Sequence, residues 1–108
     1  MLIDGDSKGN ITGNYVYENA GPGIVVSGSA SPLMVGNLVY ANGKSSQSRP
    51  GLYVTGDANP KVKRNVFSGN GAEAIRVQRQ ELKDRMMDNL FINSGRPGRA
   101  VAVERMPR

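Results

Sequence analysis

Apolar residues fall along this chain in short runs of three or four with period-two alternation, each closed by Gly, Asn or Pro. That pattern predicts strands of about four residues separated by tight turns. One set of runs follows a small residue: GIVV at 23–26, GLYV at 51–54, AIRV at 74–77 and AVAV at 100–103. A second set opens on an asparagine: NYVYENAG from Asn14, NLVYANGK from Asn37, NVFSGNGA from Asn65 and NLFINSGR from Asn89. Five residues after each leading Asn comes Asn19, Asn42, Asn70 or Ser94. Two copies share a turn, SGSASP at 27–32 and TGDANP at 55–60, and Ile11, Met34, Val62 and Met86 each stand three residues before the next leading Asn.

Four copies of one pattern make the chain a repeat array. A unit of this size cannot bury an apolar face alone, but stacked units bury a continuous core, so the pattern predicts a β-solenoid. Alternation assigns Ile11, Val16, Ile24 and Val26 to the interior of the first coil, and Met34, Val39, Leu52 and Val54 to the second. Val62, Phe67, Ile75 and Val77 follow in the third, and Met86, Phe91, Val101 and Val103 in the fourth. At about 4.8 Å per coil the stack is about 20 Å tall.

The recurring N-x-[VIF]-x-x-N-G followed by G-I-x-V resembles the right-handed parallel β-helix repeat, from Met1 to about Glu104. That repeat is found in pectin-lyase-like enzymes, in periplasmic proteins that help mature copper enzymes, and in the substrate domain of certain F-box proteins. A leucine-rich repeat has a similar period, but its L-x-x-L-x-L signature is missing. The resemblance implies an all-β, right-handed parallel β-helix of about four coils, one domain over residues 1–108, with open ends. On that reading the chain is expected to be a fragment of a longer solenoid or to stack on other copies. For function the resemblance leaves three classes open: a non-catalytic module binding a carbohydrate or a protein, a fragment of a polysaccharide lyase, hydrolase or epimerase, or a structural, self-assembling unit.

Equal positions in successive coils point to an amide ladder for Asn14, Asn37, Asn65 and Asn89. Asn19, Asn42 and Asn70 are expected at turns that need positive φ. Two segments break the period, KSSQSRP at 44–50 and RQELKDR at 79–85, the latter expected to form one helical turn with Glu81 set against Arg85. GRPGR at 95–99 is a third excursion.

The net charge of +5 is uneven: residues 1–48 carry two Lys or Arg against three Asp or Glu, residues 49–108 twelve against six. Arg76 is expected on an outer strand face beside Tyr53, with Arg49, Arg79, Arg96 and Arg99 on flanking loops. Tyr53, Arg76, Arg49, Arg79 and Arg99 are therefore the candidate ligand-binding residues, suited to an acidic polysaccharide through forked guanidinium pairing and ring stacking. A second candidate surface is apolar. Tyr15 and Tyr17, Leu38 and Tyr40, Val66, and Leu90 and Ile92 are expected to line two outer columns, more than a solvated strand face needs. Protein interface, self-association, a covering segment or a sugar platform would each account for it.

With no Cys and no His, thiolate and imidazole chemistry and their metal sites are excluded. Asp4, Asp6 and Asp57 lie in turns and form no repeated pair, so catalysis would fall on Arg76 as base with Asp57 as metal ligand, and the expectation is no catalytic residue, no metal and no cofactor. The charge is modest for a nucleic-acid partner and no phosphate-loop spacing occurs. No apolar run reaches the roughly 18 residues of a membrane helix, and the N-terminus has no signal-peptide pattern. The compartment is left open, the resemblance favouring an extracellular or periplasmic setting for a longer exported protein.

Overall fold

The computed structural model describes residues 1–6, 8–42, 49–71, 74–79, 82, 85–92 and 101–103. Among the described residues thirteen strands, mostly of three residues, run in the order β1 Leu2–Ile3, β2 Asn10–Thr12, β3 Tyr15–Tyr17, β4 Ile24–Val26, β5 Leu33–Val35, β6 Leu38–Tyr40, β7 Leu52–Val54, β8 Lys61–Lys63, β9 Val66–Ser68, β10 Ile75–Val77, β11 Met86–Met87, β12 Leu90–Ile92 and β13 Val101–Val103. None pairs with its neighbour in sequence. Every third strand pairs in parallel instead, giving sheet A (β1-β4-β7-β10-β13), sheet B (β2-β5-β8-β11) and sheet C (β3-β6-β9-β12). The chain therefore winds as a solenoid with three faces. The four repeat copies complete about three turns rather than four, because four strands in sheets B and C span three coil-to-coil steps.

Register follows the repeat. Ile11 pairs with Met34 and Met34 with Val62 in sheet B, and Val39 with Phe67 and Phe67 with Phe91 in sheet C. Leu52 pairs with Ile75, and Ile75 with Val101, in sheet A. Like sits on like, so every inward column stays apolar. Val16, Ile24, Val26, Met34, Val39, Leu52, Val54, Val62, Phe67, Ile75 and Val77 are buried, with Ile11, Met86, Phe91 and Val101 packed against them at the two ends. These are the residues that alternation assigned inward; Val103 lies outside the described side chains. Phe67 and Phe91 stack inside with centroids 5.7 Å apart. The core also takes Ala30, Ala58 and Leu82 from the turns after sheet A.

The corners are where the sequence expectation needs correcting. Positive φ falls on the residue before each asparagine, Gly13, Gly36, Arg64 and Asp88 at one corner and Glu18, Ala41 and Gly69 at the next, and not on Asn19, Asn42 or Asn70. The left-handed residue turns the chain so that the asparagine after it points into the core.

Candidate functional site

Two asparagine columns run down the solenoid. In the first, Asn37 Oδ1 accepts from the backbone N–H and the Nδ2 of Asn14 at 3.0 and 3.1 Å, while its own Nδ2 donates to Ile11 O at 2.8 Å and Asn65 Oδ1 at 2.9 Å. All four bonding positions of one amide are thus filled. Asn65 repeats the arrangement toward Met34 O and Asn89 Oδ1, and Asn89 reaches Val62 O. The ladder expected for Asn14, Asn37, Asn65 and Asn89 is present. A second ladder was not expected: Asn42 Oδ1 accepts from Asn19 N and Nδ2, and its Nδ2 donates to Val16 O at 3.0 Å and Asn70 Oδ1 at 3.1 Å. Its sequence signal is the same equal spacing.

The second ladder explains two glycines. A Cβ on Gly23 would lie 2.7 Å from Asn42 Nδ2, and one on Gly51 2.7 Å from Asn70 Nδ2. These glycines permit close approach of an amide to the backbone, and no left-handed φ is involved. One coil on, the same position holds buried Ala74, and the residue next in the ladder pattern is the shorter Ser94.

The turn after sheet A shows what the charged segment does. Ala30 O and Pro32 O accept the backbone N–H groups of Asn59 and Lys61 from the following coil at 2.9 and 3.0 Å. One coil later the equivalent carbonyls, Ala58 O and Pro60 O, accept from Arg79 Nη2 at 2.5 Å and Arg85 Nε at 3.3 Å. Two guanidinium groups thus bond these carbonyls where RQELKDR stands in place of a Pro turn, and Leu82, within that charged stretch, is buried. Glu81 lies outside the described residues, so its pairing with Arg85 is not described.

Sheet A's outer face brings Tyr53 and Arg76 together as paired neighbours, with the guanidinium 5.8 Å from the ring centroid. Gln78 Nε2 donates to the Tyr53 hydroxyl at 3.2 Å, and its Oε1 accepts from Gly56 N at 3.1 Å. Arg49 is half-buried, Arg79 bonds Ala58, and Arg96, Arg99 and residues 44–48 lie outside the described residues. Asp4 sits at the turn edge, where the Gly5 N–H and then the Ser27 hydroxyl hold its carboxyl below the ordinary aspartate range.

Sheet C's outer face carries the apolar candidates in two columns. One column pairs Tyr15, Leu38, Val66 and Leu90 in register; the other pairs Tyr17, Tyr40, Ser68 and Ile92. Tyr15 is 72% exposed and Leu90 54%, values far above those of the inward columns. Tyr17 and Tyr40 stack at 4.9 Å with an 11° interplanar angle. Loss of solvent, and then the neighbouring Tyr17, Glu18 and Tyr15, push the Tyr40 phenol above its usual value.

Among the described residues no three acidic side chains gather to hold a metal, and no helix is long and apolar enough to cross a membrane. Three parallel sheets, one core and two amide ladders define the class of a parallel β-solenoid repeat module. The chain belongs to the right-handed β-helix family, whose model, the right-handed beta helix region, matches residues 1–104. No curated protein and no solved structure matches it.

Proposed function

We propose that the chain is a non-catalytic binding module whose contact surface is the outer face of sheet C and whose ligand is a protein partner. The observation that carries this reading is the pair of columns from Tyr15 and Tyr17 to Leu90 and Ile92, exposed at both ends of the sheet. A patch of that kind on a solvated β-sheet marks a contact surface. The stacked Tyr17 and Tyr40 rings each cover one face of the other, which weighs against a row of sugars lying on them. A photo-crosslinking residue at position 15 is expected to capture a protein in the cells that make this chain, while the same residue at position 61, on sheet B, captures none. Equal capture at both, or glycan binding abolished by Tyr15→Ser, overturns the reading.

A second reading keeps the acidic polysaccharide on sheet A, favoured by the register that sets Arg76 beside Tyr53. It expects retention on heparin at low salt that Arg76→Ala removes with unchanged melting. No retention of the wild type ends it.

A further inference from the structure

We infer that Asn70 is a modification site, a covalent recorder of unfolding that deamidates through Gly71 once the second ladder opens. Only Asn42 and Asn70 are followed by Gly in this chain, and Gly43 lies outside the described residues, so the inference rests on Asn70–Gly71. Glycine after asparagine leaves the backbone nitrogen unhindered. In a mobile chain that nitrogen attacks the side-chain Cγ: the N–Cγ bond forms, the Cγ–Nδ2 bond breaks, and ammonia leaves with the proton of the Gly71 amide. Solvent water then opens the succinimide at either carbonyl, giving aspartate or isoaspartate, with no change of oxidation state.

The folded chain blocks each part of this step. The Gly71 N–H donates to Asn42 O at 2.7 Å, so the nucleophilic nitrogen is held by the neighbouring coil. Asn70 Oδ1 accepts from Asn42 N and Nδ2 at 3.0 and 3.1 Å, and Nδ2 donates to Val39 O at 3.2 Å. The amide also packs closely against the Gly51 backbone, where a Cβ would stand 2.9 Å from its Cγ. Asn70 is buried.

The product does not fit back. Aspartate puts a carboxylate oxygen where Nδ2 faced Val39 O, so a donor becomes an unpaired buried charge beside a carbonyl. Isoaspartate adds a methylene to the backbone between Ser68 of β9 and the next coil. An unfolding event that lasts long enough is thereby made irreversible.

The test follows the full chain by peptide mapping in native buffer and in urea at one pH and temperature. Asn70 is expected to deamidate about a hundredfold faster in urea, equivalent to about 2.8 kcal/mol of opening free energy at 1.4 kcal/mol per decade. After dilution from urea, the fraction that refolds falls in step with loss of Asn70, and Gly71→Ala slows both. Equal rates in native buffer and urea overturn the gating and need no variant. Undiminished refolding of chains carrying aspartate or isoaspartate at position 70 overturns the recorder.

Discussion

A single amide in this solenoid does the bonding usually shared among several groups. Asn37 is buried with both donors and both acceptor positions filled, so Asn37→Ala leaves Ile11 O and Asn14 N without their partner inside the stack. Its expected cost is about 1–3 kcal/mol, read as a fall in the urea midpoint at unchanged slope. Gly51→Ala acts on the second ladder from the opposite side. The added methyl meets Asn70 Nδ2 at 2.7 Å and Ala74 O at 3.0 Å, both held by further bonds, for an expected loss of about 1–3 kcal/mol by thermal melting. Asp4 carries a pH dependence of known sign. Because its folded pKa is depressed, its stabilisation is present above the unfolded aspartate pKa and is lost as pH falls through the folded value. Asp4→Asn is expected to melt below wild type at neutral pH and to converge with it in acid.

The strands themselves are weak elements, two or three residues long and stable only because they are stacked on copies of themselves. The turns set their spacing, and here Arg79 and Arg85 bond the turn carbonyls Ala58 O and Pro60 O. Arg85→Met is expected to cost about 1 kcal/mol, measured by urea unfolding, since it leaves Pro60 O without that bond. Alternation and equal asparagine spacing made the strands, the register and the first ladder legible in the amino-acid sequence, because both depend on periods that repeat. The left-handed corners were not legible. Glu18, Ala41, Arg64 and Asp88 adopt φ of 55–57°, a conformation that composition assigns to Gly, because the ladder after them compensates the strain. Leu82 was hidden by its charged neighbours, and the bonds of Arg79 by the distance in sequence to Ala58. Of the candidate surfaces, the outward placement of the sheet C columns and of the Tyr53–Arg76 pair was legible, since outward positions follow from the same alternation. That Tyr17 and Tyr40 take each other's faces was not, because it depends on side-chain angles within one register pair.

At the scale of the molecule, contacts run coil to coil, so stability is a sum of units and of the interfaces between neighbours. Deleting residues 37–64 removes one 28-residue coil and sets Asn14 directly above Asn65. The shortened chain is expected to keep its β-sheet circular dichroism and to melt cooperatively at a lower temperature. A random-coil spectrum would show instead that the coils are not interchangeable. Interchangeability has a direction, however. In both ladders each rung donates its backbone N–H and one amide N–H onward to the oxygen of the next, so every side-chain carbonyl is aimed the same way. The stack is an arrow with no mirror-image half. A duplicated coil can enter anywhere, because translation preserves the arrow, but two solenoids joined through like ends would set oxygen against oxygen at the Asn14 end and N–H against N–H at the Asn89 end. The ladders therefore match end to end only head to tail, where the donors of one meet the acceptors of the other.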